Sequence, residues 1–432
     1  RDESPPNEYE VAWWMTIQYI VADSRKFAYR RRAIPMAKRN IVDRVSDAYN
    51  VDDVEHVESG ISKNMLTRVV RVATEGSTAN VERWHCDLLK KGMGGGHLLR
   101  ISGTASDVGG GFDWSLVLEV LRKKTATAGI ADEYDWQREA LAYRSGLLDN
   151  LPCGLEAAHC YEIEDKSDEE IWMWLEDLSG VPDGVWSLER YALAARHLAK
   201  LNGYYLDKSL PDHPWLVRSF EQKAMKRDGN IEAYVLLRDH PIVRKLIPRE
   251  DETILYELWA RRDEILSKLH TRQPQTFGHL DGFRLNLFSR PGTIEDKEPT
   301  TVAIDWALCG IGPLGADLKV LFIHSVGFFA VNVCHASELD RLSFEGYIEG
   351  LRDTGWDGEI RQIRYSYTMM IAMTIARLFP LLCSLHVDEA KHDVLVQLTG
   401  RTVDENIEMN SQLWPFMLGL ASEGLALDKQ IY

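Results

Sequence analysis

The chain has 432 residues and is 45% hydrophobic, enough to build a large core spread over two or three domains. Its formal charge of −16 excludes broad binding to a nucleic-acid backbone, while staying compatible with a cationic substrate. Ordinary composition without repeats or low-complexity tracts excludes fibrous and disordered classes.

Residues 1–80 read as mainly helical. Within them, VAWWMTIQYIVA (11–22) is about half the length of a membrane span and reads as a packed amphipathic helix, so no membrane partner is expected. The basic run from Arg25 to Arg44 reads as a solvated helix face. The pattern then changes. VERWHCDLL (81–89), HLLRISGTA (97–105) and WSLVLEVL (114–121) are rich in β-branched and large apolar residues. Glycine-rich KKGMGGG and SDVGGGFD separate them, which predicts an antiparallel meander. Trp136, Ala140, Tyr143 and Leu147 recur at helical spacing, and two more strands are expected near AAHCYEIED and EIWMWLEDL.

From about residue 180 helices dominate. SLERYALAARHLAKLNGYYL opens with Ser187 as its cap candidate but lacks a full capping box, since Arg190 holds the third position. ETILYELWARRDEILSKLH is another helix. Aromatic- and methionine-rich RYSYTMMIAMTIARLF (364–379) reads as core, and His197 and His213 as structural. Six scattered cysteines form no CxxC pair or Cys/His cluster, which points to reduced thiols and a cytoplasmic protein.

Between these helices lies GHLDGFRLNLF (278–288). His279, Asp281 and Asn286 sit there among residues suited to burial, where an unsatisfied carboxylate or amide costs about several kcal/mol. Hydrogen bonds, a metal or a reaction would each answer that cost. The apolar LFS, the turn-rich RPGTIEDKEP (290–299) and TTVAID (300–305) read as a β-hairpin. Antiparallel pairing returns Asp305 to the end where Asn286 enters, with strands about 5 Å apart. Asp281 lies just upstream, so two carboxylates and an amide oxygen converge. Such an oxygen set suits Mg²⁺, and if Asn286 and Asp305 hold the ion, Asp281 remains to accept a hydroxyl proton. A hydrolase using Asp281 and Asp305 as a carboxylate pair is a competing reading, but it leaves Asn286 and the glycine turn unexplained.

His279-x-Asp281-x-x-x-x-Asn286 followed by Ile304-Asp305-Trp306 resembles the aminoglycoside phosphotransferase/choline kinase-like family. The similarity spans roughly residues 81–385 and is strongest at 278–318, with HLD here in place of the commoner HGD. The resemblance implies that Asp281 is the base and that Asn286 and Asp305 are Mg²⁺ ligands. It also implies that His279 fixes the loop and that Asp317, in GIGPLGADL, braces it.

On the nucleotide side, the resemblance implies that Gly94, Gly95 and Gly96 in the first turn approach the phosphates. It expects a lysine in the third strand paired with a helix glutamate. Glu139 fits the glutamate, but Glu119 stands at the lysine position, where it would repel a phosphate by about 1–4 kcal/mol per close pair. Lys123, about 13 Å further along the strand, cannot substitute without a register shift. Arg100, Lys90 or Lys91 could supply the cation. MWLEDL (173–178) resembles the segment joining the lobes, which puts Trp174, Leu175 and Glu176 at the adenine.

These readings predict an α+β, two-lobed protein-kinase-like fold: an N-terminal helical extension (1–80), a small antiparallel sheet lobe (81–178) and a larger helical lobe (179–432), with the cleft between lobes as the ligand site. The expected function is transfer of the γ-phosphate of ATP or GTP, with Mg²⁺, to a hydroxyl of a small molecule. An acidic wall would favour an amine-bearing, aminoglycoside-like acceptor. The alternative is a nucleotide-binding, regulatory pseudokinase, which Glu119 would favour.

Overall fold

The computed structural model describes residues 51–76, 78–91, 97–123, 134, 136–181, 185–206, 208–228, 230–292 and 298–432. The expectations for residues 1–50 and for Gly94, Gly95 and Gly96 lie outside these described residues. Contacts divide the described chain into two units, one of residues 51–144 and 158–180, the other of 145–157 and 181–432.

The first unit is built on a five-stranded antiparallel sheet. Its strands are β1 (Asn80–Lys91), β2 (His97–Asp107), β3 (Gly110–Arg122), β5 (Cys160–Ser167) and β6 (Glu170–Glu176), in the order β1-β2-β3-β6-β5. The meander expected from sequence is present, with β1 and β3 longer at both ends and β2 longer at its C-terminal end. Alternation decides the faces. Leu116, Leu118 and Val120 of β3 join Trp172 and Trp174 of β6 in a core shared with helices α1 (Val51–Gly60) and α2 (Lys63–Ala73). Those helices contribute Val57, Leu66, Val69 and Val70, and the turn between them contributes Ile61. Arg68 of α2 holds Glu162 and Glu164 of β5 at 2.5 and 2.7 Å. The opposite face carries Val117, Ile171, Met173 and Leu175 against Ala140 of the short helix α3 (Arg138–Arg144). That helix is shorter than its periodicity suggested: Trp136 and Leu147 fall in turns, and Gly146, at φ +75°, lies in the turn past its C-terminus.

The second unit is mainly helical: α4 (Leu188–Tyr204), α5 (Phe220–Asp228), α6 (Ile231–Leu237), α7 (Pro241–Leu246), α8 (Glu252–Thr271), α9 (Ala316–Gly327), α10 (Ala336–Asp353), α11 (Ile360–Val387), α12 (His392–Thr399) and α13 (Val403–Ile431). Ser187 caps α4 by accepting from the Arg190 N–H at 3.3 Å. Helix α11, which contains the methionine-rich stretch, is long and apolar enough to cross a membrane, but 89% of its most apolar window is buried in the protein. Two small sheets position the candidate site. In one, β10 (Thr300–Ala303) lies between β4 (Leu155–Ala157), which the sequence reading had not assigned, and β9 (Leu287–Arg290). In the other, β11 (Gly310–Pro313) lies between β7 (Val217–Arg218) and β8 (Gln275–Gly278).

Candidate active site

Strands β9 and β10 form the expected antiparallel hairpin, with Ala303 opposite Leu287 and Val302 opposite Phe288. Past the last pair, the Ile304 N–H donates to the Asn286 carbonyl at 2.9 Å, which sets Asn286 and Asp305 beside one another. Asn286 closes a 3-10 turn (Arg284–Asn286) and is buried. Its Nδ2 donates to the main-chain carbonyl of Asp281 at 3.0 Å and to Asp281 Oδ2 at 3.2 Å. This orients the amide and leaves Oδ1 as its acceptor atom. Asp281 and Asn286 are therefore joined through the Asn286 side chain, and Asp305 stands beside Asn286 along the backbone.

Asp305 takes φ 59°, ψ 65°, the left-handed region that Asp enters more readily than most residues. Trp306 follows it, fully buried, with its ring 4.4 Å from that of His279. His279 Nε2–H donates to the Ile304 carbonyl at 2.9 Å, and its Nδ1 accepts from the Asp281 N–H at 3.3 Å. Burial holds this imidazole below its ordinary value, against the pull of the Asp317 carboxylate, so the ring is neutral. His279 ties the two arms of the site together.

Asp317 lies in the first turn of α9 and is buried. Its Oδ1 accepts from the Leu280 N–H at 2.6 Å and its Oδ2 from Asn202 Nδ2 at 2.8 Å. Burial pushes the carboxyl up, while the hydrogen bonds from Asn202 and the Leu280 N–H pull it back. A Cβ on Gly278 would lie 2.5 Å from Asp317 Oδ2, so this close approach requires glycine. Leu280 has φ +60°, a conformation that costs an L-residue about 1–2 kcal/mol. Leucine thus occupies a strained position between His279 and Asp281. Sequence reasoning missed the next layer: Asn202 Oδ1 accepts from the Tyr347 hydroxyl at 2.6 Å. An amide on the apolar stretch of α4 was its only cue.

The donor set fits a divalent ion that shares its shell with phosphate. Asn286 and Asp305 offer one amide and one carboxylate oxygen, hard ligands of the kind Mg²⁺ prefers. No group of three or more His, Cys, Asp or Glu side chains able to hold a metal occurs among the described residues.

In the sheet unit, Glu119 shares strand parity with Val117 and faces α3. Tyr143 shows what it meets: burial, then the charges of Glu139, Cys160, Glu119 and Glu176, push its hydroxyl well up. Glu139 is buried, and both it and Glu119 lie near enough to Tyr143 to act on its hydroxyl. Arg100, one candidate for a replacement cation, donates to Asp177 Oδ2 at 3.0 Å. Trp174 and Leu175 are ladder residues. Trp174 is wholly buried in the core shared with α1 and α2, and Leu175 pairs with Val117 and Cys160 on either side. The Glu176 N–H donates to the His159 carbonyl at 2.9 Å.

No family model matches the chain, and no curated protein is similar to it. Solved structures are. A microcompartment-associated aminopropanol kinase has 14% identity over 84% of this chain and 99% of its own, with a TM-score of 0.47. An aminoglycoside phosphotransferase from Alicyclobacillus acidocaldarius has 14% identity over 81% and 92%, TM-score 0.44. Amicoumacin kinase in complex with AMP-PNP and Ca²⁺ has 12% identity over 81% and 96%, TM-score 0.42. These are remote likenesses, and what each of those proteins acts on belongs to that protein.

Proposed function

We propose that the chain is a phosphotransferase that moves the γ-phosphoryl group of ATP or GTP to a hydroxyl of a small molecule. The observation that carries this reading is the meeting of Asp281, Asn286 and Asp305 at one end of the β9–β10 hairpin. Asp281 accepts the proton of the acceptor hydroxyl as its oxygen bonds to the γ-phosphorus and the bond to the leaving nucleoside diphosphate breaks. Asn286 holds the Asp281 carboxylate through Nδ2. Asn286 Oδ1 and the Asp305 carboxylate would hold Mg²⁺, which when bound neutralises charge on the phosphates. His279 and Asp317 keep the loop in shape, so that positioning supplies most of the acceleration.

The acceptor we favour bears an amine, in keeping with the net charge of −16, and the reaction belongs in the cytoplasm, where six cysteines free of disulfides are at home. The test is to incubate the protein with Mg-ATP or Mg-GTP and a panel of amino alcohols, aminoglycosides and neutral polyols, following nucleoside diphosphate and phosphorylated product. Product that forms with wild type and is lost in Asp281→Ala supports the reading. No product or diphosphate from any acceptor overturns it.

A further inference from the structure

Behind the candidate loop runs a buried hydrogen-bonded chain through three helices. The Tyr347 hydroxyl, on α10, accepts from the Gly315 N–H at 2.9 Å and donates to Asn202 Oδ1. Asn202, on α4, donates through Nδ2 to Asp317 Oδ2 and to the Phe277 carbonyl at 3.1 Å, while its own carbonyl accepts from Thr276 Oγ1 at 2.6 Å. Asp317, on α9, uses its other oxygen for the Leu280 N–H. Tyr347, Asn202 and Asp317 are all 0–1% exposed. Tyr347 reaches Asn202 because α10 lies against α4 at glycines: a Cβ on Gly346 or Gly350 would collide with the carbonyl of Ala192 or Arg196.

The chain ends at a residue with a left-handed backbone. Leu280, at φ +60°, would relax to negative φ if released, and the adjoining Asp281 would turn with it. We propose that Tyr347 and Asn202 are positioning residues, which through Asp317 hold Leu280 in its left-handed conformation and so aim the Asp281 carboxylate. Neither side chain touches a reacting atom. Their effect rests on the phosphotransfer reading, and it is specific to a leucine at position 280: a glycine there would need far less restraint.

The test uses Tyr347→Phe, which removes one oxygen, in wild-type and Leu280→Gly backgrounds, with Asn202→Ala as a second variant. The probe reaction is slow hydrolysis of Mg-ATP with water as acceptor, with Mg-ATP affinity measured by calorimetry. Tyr347→Phe should lower kcat at least tenfold with Kd changed less than twofold. In the Leu280→Gly background the same substitution should cost less than threefold. Hydrogen exchange of the 277–287 segment, which needs no activity, should be faster at the Leu280 amide in Tyr347→Phe. Unchanged exchange there, or equal kcat losses in the two backgrounds, overturns the relay. Faster exchange in a protein whose wild type shows no hydrolysis or transfer leaves the relay standing and overturns the phosphotransfer reading instead.

Discussion

Asn286 donates one side-chain amide to both the main-chain carbonyl and the Oδ2 of Asp281, at 3.0 and 3.2 Å. The group proposed to hold an ion therefore also fixes the group proposed to take a proton, and the two functions can be separated only by removing one partner at a time.

Removing the base comes first. Asp281→Ala should lower phosphate transfer by about 10²–10⁴-fold, the usual worth of a positioned acid or base, while Mg-ATP affinity stays within twofold. Steady-state kinetics and calorimetric titration check both halves. Wild-type turnover in this variant would reassign the base.

Asp305→Ala should act on binding. Even an outer partner of a metal site is worth about 10–100-fold in affinity, so losing a ligand should weaken Mg-ATP binding by at least that much. With EDTA in place of Mg²⁺, wild type and variant should bind ATP alike. A difference that persists without the ion would place Asp305 in another role.

Leucine at position 280 yields a reversal of the usual ranking. Alanine normally outranks glycine in stability, because glycine loses more backbone freedom on folding. At φ +60° the order inverts, so Leu280→Gly should be more stable than Leu280→Ala by about 1 kcal/mol. Thermal or urea unfolding of the pair decides it, since both variants lose the same side-chain packing beyond Cβ.

Two buried histidines contribute to the loss of stability in acid. Burial, reinforced by Lys319, lowers His324 to about 3, and burial with Lys200 and Arg190 lowers His197 to about 3. The unfolded chain protonates both near pH 6.5 while the folded chain does not, so their stabilisation is present above that pH and is lost as pH falls toward 3. The slope approaches about 1.4 kcal/mol per pH for each histidine. His324 touches the loop through the Phe283 ring, 4.6 Å away. Melting temperatures from pH 7 to 4 should fall, and His324→Leu should fall less steeply than wild type.

Glu119→Lys probes the nucleotide side. Glu119 and Glu139 both act on Tyr143, so a lysine at 119 replaces one of two negative charges in that neighbourhood with a positive one. ATP should bind more tightly to the variant. Unchanged affinity would show that position 119 does not face the phosphates.

The hairpin and its three polar residues were legible in the linear chain because their causes are local. Turn residues at 290–299 set two short apolar runs antiparallel, and strand register then returns Asp305 to Asn286 however the rest packs. The same local logic gave the meander of the sheet unit. It overextended α3, where helical periodicity continued into residues that the fold places in turns.

What tertiary structure alone decided is the support of that site. Asp317 was expected to brace the loop, but its partners Asn202 and Tyr347 come from two other helices 145 residues apart, and nothing in their own neighbourhoods indicates that they meet it. The positive φ of Leu280, the burial of Trp174 and the pairing of Arg100 with Asp177 are likewise products of packing. Short-range patterns record which atoms the chain offers. Which buried donor finds which acceptor is settled only when distant helices exclude water and each polar group must take the partner within reach.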